Sequence, residues 1–158
     1  MSVEGATQSV ITGNRVEVSL LALDPELPPP ARIRPGDAAA DLPARHDVVV
    51  PSRQRRLVPT GFAIALPPGT CALLLPRSGL ALRHGLTLLN SPGLVDSGYR
   101  GELQVVLLNT GDEDVIIERG QRIAQLLVLP VPSLALVPVD ELPKSIDDRG
   151  VNGFGSSG

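Results

Sequence analysis

The sequence predicts an all-β fold: a jelly-roll-like barrel or sandwich of short strands, with one short helix and a flexible, glycine-rich C-terminal tail. Hydrophobic residues make up 42% of the 158-residue chain, enough to bury the core of a single domain. Its 16 glycines and 16 prolines cut that apolar content into pieces too short for long helices. The pieces are rich in Val, Leu and Ile, and turn signals divide them: PPG at 67–69, NSPG at 90–93, NTGD at 109–112 and RG at 119–120.

Taken in order, residues 1–14 are polar and read as a loose N-terminal extension. VEVSLLAL at 16–23 is the first strand-like run, and DPELPPP after it blocks both helix and central strand. Further strand-like runs fall at 47–50, 57–66, 71–75, 86–89, 103–108, 115–117, 123–131 and 134–139. SGLALRHG at 78–85 is the one helical segment, with leucines at helical spacing and Ser78 as its expected N-cap. The β domain thus spans 15–143. Residues 144–158 form a C-terminal arm whose composition is that of a flexible tail. Within that arm Arg149 suits an anion, and Phe154 suits a flat ring.

Formal charge is −3, from 14 basic and 17 acidic residues, which lacks the basic footprint of a nucleic-acid binder. Every basic residue except Lys144 is an arginine. Arginine suits bidentate phosphate contacts, and the codon bias of a GC-rich genome explains the excess equally well. Cys71, alone inside CALLL, has no partner for a disulfide or a cysteine metal site and reads as a buried small hydrophobe in a reducing compartment. His46 and His84 have no ligand-like spacing and read as surface or turn residues. No run reaches the length of a membrane span, and the polar start lacks a signal-peptide core, so a cytoplasmic protein without a membrane partner is expected. The aromatics are only Phe62, Tyr99 and Phe154. An aliphatic core needs none of them. Phe62, inside GFAIAL, reads as core packing.

Five segments stand out. GDAAADL (36–42) carries two carboxylates, and PRSGLA (76–81) sets Arg, Ser and Gly where an apolar run ends and the helix begins. NSPGLVDSGYRGEL (90–103) places an Asp and a Tyr three apart in a glycine-rich turn. RIAQL (122–126) sets Arg and Gln into an apolar strand, and RGVNGFGSSG (149–158) is the tail. Each has a bland reading: loop solvation or a cap, a turn before a helix, an Asx-turn, an edge strand, a disordered tail.

Together and in this order, the five segments resemble the five motifs of the trimeric deoxyuridine triphosphate nucleotidohydrolases (dUTPases), over residues 16–158. The resemblance implies a jelly-roll homotrimer with active sites at subunit interfaces, each closed by the tail of one subunit over a site built by others. It implies dUTP as substrate with Mg²⁺ on its triphosphate. Water would attack the α-phosphorus and release dUMP and pyrophosphate, limiting uracil in DNA and supplying dUMP for dTMP synthesis. Asp96 matches the catalytic carboxylate that activates the water, with Gln125 as the second catalytic position. Arg77, Ser78, Gly79 and Gln125 match phosphate contacts, and Arg149, Gly155, Ser156 and Ser157 match the tail's grip on the terminal phosphate. Asp41 matches a carboxylate that reaches the metal through water. Tyr99 matches the ring that packs on deoxyribose and excludes a 2′-hydroxyl. Asn90, Gly93, Leu94, Val95 and Asp96 match the uracil pocket, with Gln104 also at a substrate-binding position, and Phe154 matches the ring that stacks on the base. Ala39 and Asn152 stand where the family commonly has glycine.

Two rivals remain at this level. A dCTP deaminase, mono- or bifunctional, shares the fold but carries a catalytic Glu at about the place of Val106, which is apolar and expected in the core. A non-catalytic nucleotide-binding jelly roll would be marked by loss of Asp96 or of the tail, and both are present.

Overall fold

Alternating burial marks the strands. In the segment Glu102–Asn109, Leu103, Val105, Leu107 and Asn109 are buried while the residues between them face outward. That two-residue period belongs to a strand with one face on a core. The computed structural model describes residues 11–12 and 15–144. In chain order these form β1 (Ile11–Thr12), β2 (Arg15–Val16), β3 (Ser19–Ala22), β4 (Ala40–Pro43), β5 (Val48–Val50), β6 (Arg55–Ala65), β7 (Thr70–Leu75), α1 (Ser78–His84), β8 (Leu86–Leu88), β9 (Gly93–Asp96), β10 (Glu102–Asn109), β11 (Val115–Ile117) and β12 (Arg122–Pro130).

Two four-stranded antiparallel sheets carry the fold, in the orders β3-β6-β10-β8 and β4-β12-β7-β9. Neighbours far apart in sequence mean that the chain crosses repeatedly between sheets, as a jelly roll does. The core draws on both: Val58, Ile64, Leu103, Val105 and Leu107 from the first, Leu42, Ala72, Leu74, Ile123 and Ala124 from the second. Each large aliphatic side chain so buried contributes about 1.5–3 kcal/mol. Phe62 is fully buried, as expected.

Buried polar groups are paired. The Asn109 side chain, fully buried, donates to the carbonyls of Val50 (3.0 Å) and Glu113 (2.8 Å) and accepts from the Gly111 N–H (2.9 Å), which pins the NTGD turn. Among the described residues no buried side-chain nitrogen or oxygen lacks a partner. Gly85 ends α1 in the left-handed region (φ 64°), where its N–H reaches the Ala81 carbonyl at 3.0 Å.

Four expectations need correction. Ser78 is the first helical residue rather than the N-cap; Arg77 takes the cap position in extended backbone, with no side-chain cap bond. The run at 134–139 forms no strand: Leu134, Leu136, Val137 and Val139 are 79%, 84%, 73% and 59% exposed. Pro138 removes a donor within it, Pro130, Pro132 and Pro143 interrupt its flanks, and no strand among the described residues pairs with it. Cys71 is half-buried, because the alternation of β7 turns Ala72 and Leu74 inward and Cys71 outward. Val106 is likewise half-buried, between the core residues Val105 and Leu107. His46 and His84 are exposed. The run at 16–23 is divided between β2 and β3, and Ile11–Thr12 pairs with β2.

Candidate active site

The site residues gather on the second sheet. In a cross-strand pair, directly opposed residues point to the same face. Asp41 opposes Gln125 and Gln125 opposes Leu75, while Cys71 opposes Asp96. With Leu42, Ala72, Leu74 and Ala124 in the core, the shared parity sends Asp41, Gln125 and Asp96 to the outward face.

A cavity of about 230 Å³ lies along β9. Its lining includes Asn90, Gly93, Leu94, Val95, Asp96, Tyr99 and Gln104, all of them expected at a substrate site, together with Leu74, Glu102 and Leu103, which were not. β9 is an edge strand, so on its outer side the backbone from Gly93 to Val95 has no strand partner among the described residues. Such an edge offers a fixed row of donors and acceptors. Gly93 brings it close to β7: a Cβ there would lie 3.3 Å from Leu74 Cβ and 3.4 Å from Asn90 Nδ2. The turn after β9 is tight, with the Tyr99 N–H donating to the Asp96 carbonyl at 3.0 Å. Asp96 is exposed, and its carboxylate has no partner among the described residues. The cavity is smaller than the ~300–1,000 Å³ of drug-sized ligand sites and suits a single ring and its sugar.

A second cluster surrounds Asp41, whose side chain is 10% exposed. Arg77 donates to it from Nε (3.0 Å) and Nη2 (3.4 Å), and Arg122 from Nη1 (3.1 Å). Arg77 Nη1 also donates to the Arg122 backbone carbonyl at 3.0 Å, which ties the Arg77 guanidinium to the main chain of β12. An ionised carboxylate has about four acceptor sites, and three here are taken. RIAQL lies on β12, between β4 and β7 and so not on an edge. Gln125 is half-buried beside Asp41, Ser78 is exposed, and Gly79 packs under the Arg83 guanidinium.

The two clusters do not meet within one chain. Leu75, level with Gln125, and Cys71, level with Asp96, are four residues apart on β7, about 13 Å along the strand. Among the described residues no group of three or more His, Cys, Asp or Glu side chains is placed to hold a metal ion. Arg149, Phe154, Gly155, Ser156 and Ser157 lie outside the described residues, as does Asn152. The sequence marks Arg122 as an unexpected charge in an apolar strand but gives it no partner, and it does not mark Glu102; their partners, Asp41 and Arg45, are 81 and 57 residues away, beyond any local spacing. No helix among the described residues is long and apolar enough to cross a membrane.

Two four-stranded antiparallel sheets, with a ring-sized cavity at the edge strand of one and an arginine–carboxylate cluster on its outward face, define a jelly-roll protein with a candidate small-molecule site. A family model described as dUTPase matches residues 26–158. The deoxyuridine 5'-triphosphate nucleotidohydrolase of Thermobifida fusca is 54% identical over 144 residues, 90% of this chain and 79% of that protein. Its counterpart in Rhodococcus erythropolis is 51% identical over 148 residues, 92% of this chain and 88% of that protein. Among solved structures, the Staphylococcus bacteriophage 80alpha dUTPase with dUPNHPP has a TM-score of 0.81 at 28% identity, covering 89% of this chain and 98% of that one. The chain belongs to the dUTPase family.

Proposed function

We propose that the protein hydrolyses dUTP to dUMP and pyrophosphate. The observation that carries this reading is the convergence of Asn90, Gly93, Leu94, Val95, Asp96, Tyr99 and Gln104 on one cavity, in a chain of the dUTPase family. Uracil enters along the β9 edge, where backbone groups from Gly93 to Val95 read its polar edge. Cytosine exchanges a donor for an acceptor there and leaves buried groups unpaired, a strong basis for rejection. Tyr99 packs against the deoxyribose. Asp96, whose carboxylate has no competing partner, takes a proton from the water that attacks the α-phosphorus. The bond to the bridging oxygen then breaks and pyrophosphate leaves. General-base help of this kind is worth about 10²–10⁴-fold.

Arg77, Ser78, Gly79 and Gln125 contact the phosphates, where the fixed guanidinium of Arg77 meets developing charge without reorganising. Because Asp96 and Gln125 are far apart in one chain, a complete site takes them from different protomers. A homotrimer with interfacial sites is the assembly this reading calls for, and the exposed apolar stretch from Leu134 to Leu142 suits a segment that lies on a neighbour. Arg149, Gly155, Ser156 and Ser157 grip the terminal phosphate and Phe154 covers the base. Mg²⁺ fits as part of the substrate complex, held by phosphate oxygens and water and supplying charge neutralisation. Asp41, with one acceptor site left, is the carboxylate placed to reach that ion through water. Dilution of dUTP with Mg²⁺ into the purified protein should release pyrophosphate and dUMP in equal amounts. Ammonia release from dCTP, or no pyrophosphate from dUTP, overturns the reading.

A further inference from the structure

Tyr99 is held from two sides. Its hydroxyl donates to the Glu102 carbonyl oxygen at 2.9 Å. Glu102 is itself fixed, since its carboxylate accepts from the Gly61 N–H at 2.8 Å and pairs with Arg45 at 3.3 Å. On its other side the ring lies over Gly101. A Cβ built on Gly101 would overlap the phenolic oxygen and stand 2.7 Å from Cζ and 3.1 Å from Cε2 of Tyr99. Backbone conformation is not what demands glycine here. Among the described residues the glycines with positive φ are Gly61, Gly69, Gly85 and Gly120, and Gly101 is not one of them. An L-residue fits the backbone at 101; the tyrosine ring is what excludes a side chain. Gly98, in the same turn, has nothing within 4 Å of its Cβ position.

We propose that Gly101 is a positioning residue for sugar selection. By lacking a side chain it lets the Tyr99 ring settle where it lines the cavity, and so sets how strongly the site rejects a nucleotide bearing a 2′-hydroxyl. This rests on the reading of the cavity as a dUTP site. A methyl at 101 lifts the ring off its seat, with the hydroxyl forced away from the Glu102 carbonyl, and changes the space beside C2′. Discrimination by shape is sensitive to single methyl groups, on the order of 10–200-fold.

The test compares kcat/KM for dUTP and for UTP in the wild type, Gly101→Ala and Gly98→Ala. Tyr99 is the only tyrosine in a chain without tryptophan, so its emission and iodide quenching report the ring alone. In Gly101→Ala the dUTP/UTP ratio should fall by about 10-fold or more and the tyrosine emission should change, whereas Gly98→Ala keeps both at wild-type values. If Gly101→Ala does not fold, Tyr99→Phe and Tyr99→Phe/Gly101→Ala make the same comparison, and the ratio should drop between them. An unchanged ratio in a folded Gly101 variant, or equal losses for both nucleotides, overturns the role of Gly101 while the activity stands. A wild type that releases no pyrophosphate from dUTP overturns the proposed function and this inference with it.

Discussion

Asp41 and Asp96 sit on the same face of the same sheet, and they are in opposite states. Asp41 is 10% exposed and gives three of its acceptor positions to Arg77 and Arg122. Asp96 ends an edge strand, is exposed, and has no side-chain partner among the described residues. The half-exposed thiol of Cys71 is its opposite number across the sheet, where Asp41 has Gln125. A carboxylate with three of its about four acceptor sites committed to guanidinium groups orients those groups and keeps one site for a bound water, not for deprotonating one. One with free lone pairs at a cavity wall can take a proton. On the proposed reading, the contrast gives positioning to the first cluster and chemistry to the second.

The largest effect should come from removing the free carboxylate. Asp96→Asn is close in shape and touches nothing in the core, so the variant should fold and bind dUTP with near-wild-type affinity. Its kcat should fall by about 10²–10⁴-fold. Pyrophosphate release together with calorimetric titration of a non-hydrolysable dUTP analogue separates the two quantities, and near-normal turnover would put the base elsewhere. Next in size is removal of residues 149–158, which should lower turnover by about 10²-fold through lost closure and positioning. Sedimentation should report the proposed trimer for the shortened chain as for the full one, because the segment up to Lys144 is kept.

Breaking the committed carboxylate should act differently. Asp41→Asn leaves two arginines with a single neutral acceptor between them and turns an amide NH2 donor on guanidinium donors. Hydrogen bonds to charged groups are worth about 1.5–3 kcal/mol each, and the Arg122 share is discounted because that side chain is 49% exposed. Stability to urea should drop by about 2 kcal/mol. The kinetic loss should appear chiefly in KM for dUTP, since Arg77 and Arg122 lose their fixed orientation. A loss confined to kcat, with KM and stability intact, would give Asp41 a part in the chemical step and erase the contrast.

How much of this was legible beforehand depends on distance along the chain. β7, β10 and β11 stand out as short apolar runs, because alternation and turn residues are local signals. β4 and β9 look like loops in the sequence: four residues each, carrying Asp, Pro or Gly, they are strands only because β12 and β7 offer them partners. The stretch at 134–139 failed the other way, being strand-like in composition with no partner. The site divides along the same line. Gly93 to Tyr99 form one short segment and were legible together. The link from Asp41 to Arg77 and Arg122 spans 36 and 81 residues, and only the sheet register brings it about. Likewise, Arg77 at the cap position sends its guanidinium to Asp41 instead of to the helix N–H groups, a partner 36 residues away that no local spacing marks.

The smallest effect should come from the residue opposite Asp96. Cys71→Ser replaces a half-buried thiol by a hydroxyl of similar size on the outward face of β7, with the core residues Ala72 and Leu74 untouched. A change of this kind away from the core should shift stability by no more than about 0.5 kcal/mol. The serine hydroxyl is nonetheless a better hydrogen-bond donor than the thiol, and it stands directly across from the free carboxylate. If Asp96 works because its lone pairs are uncommitted, a donor placed there should compete with the attacking water and lower kcat by a small factor, about twofold. Cys71→Ala, which offers no donor, should keep the wild-type rate. Equal rates for the serine and alanine variants would show that Asp96 points away from its strand partner and that the cavity alone sets its freedom.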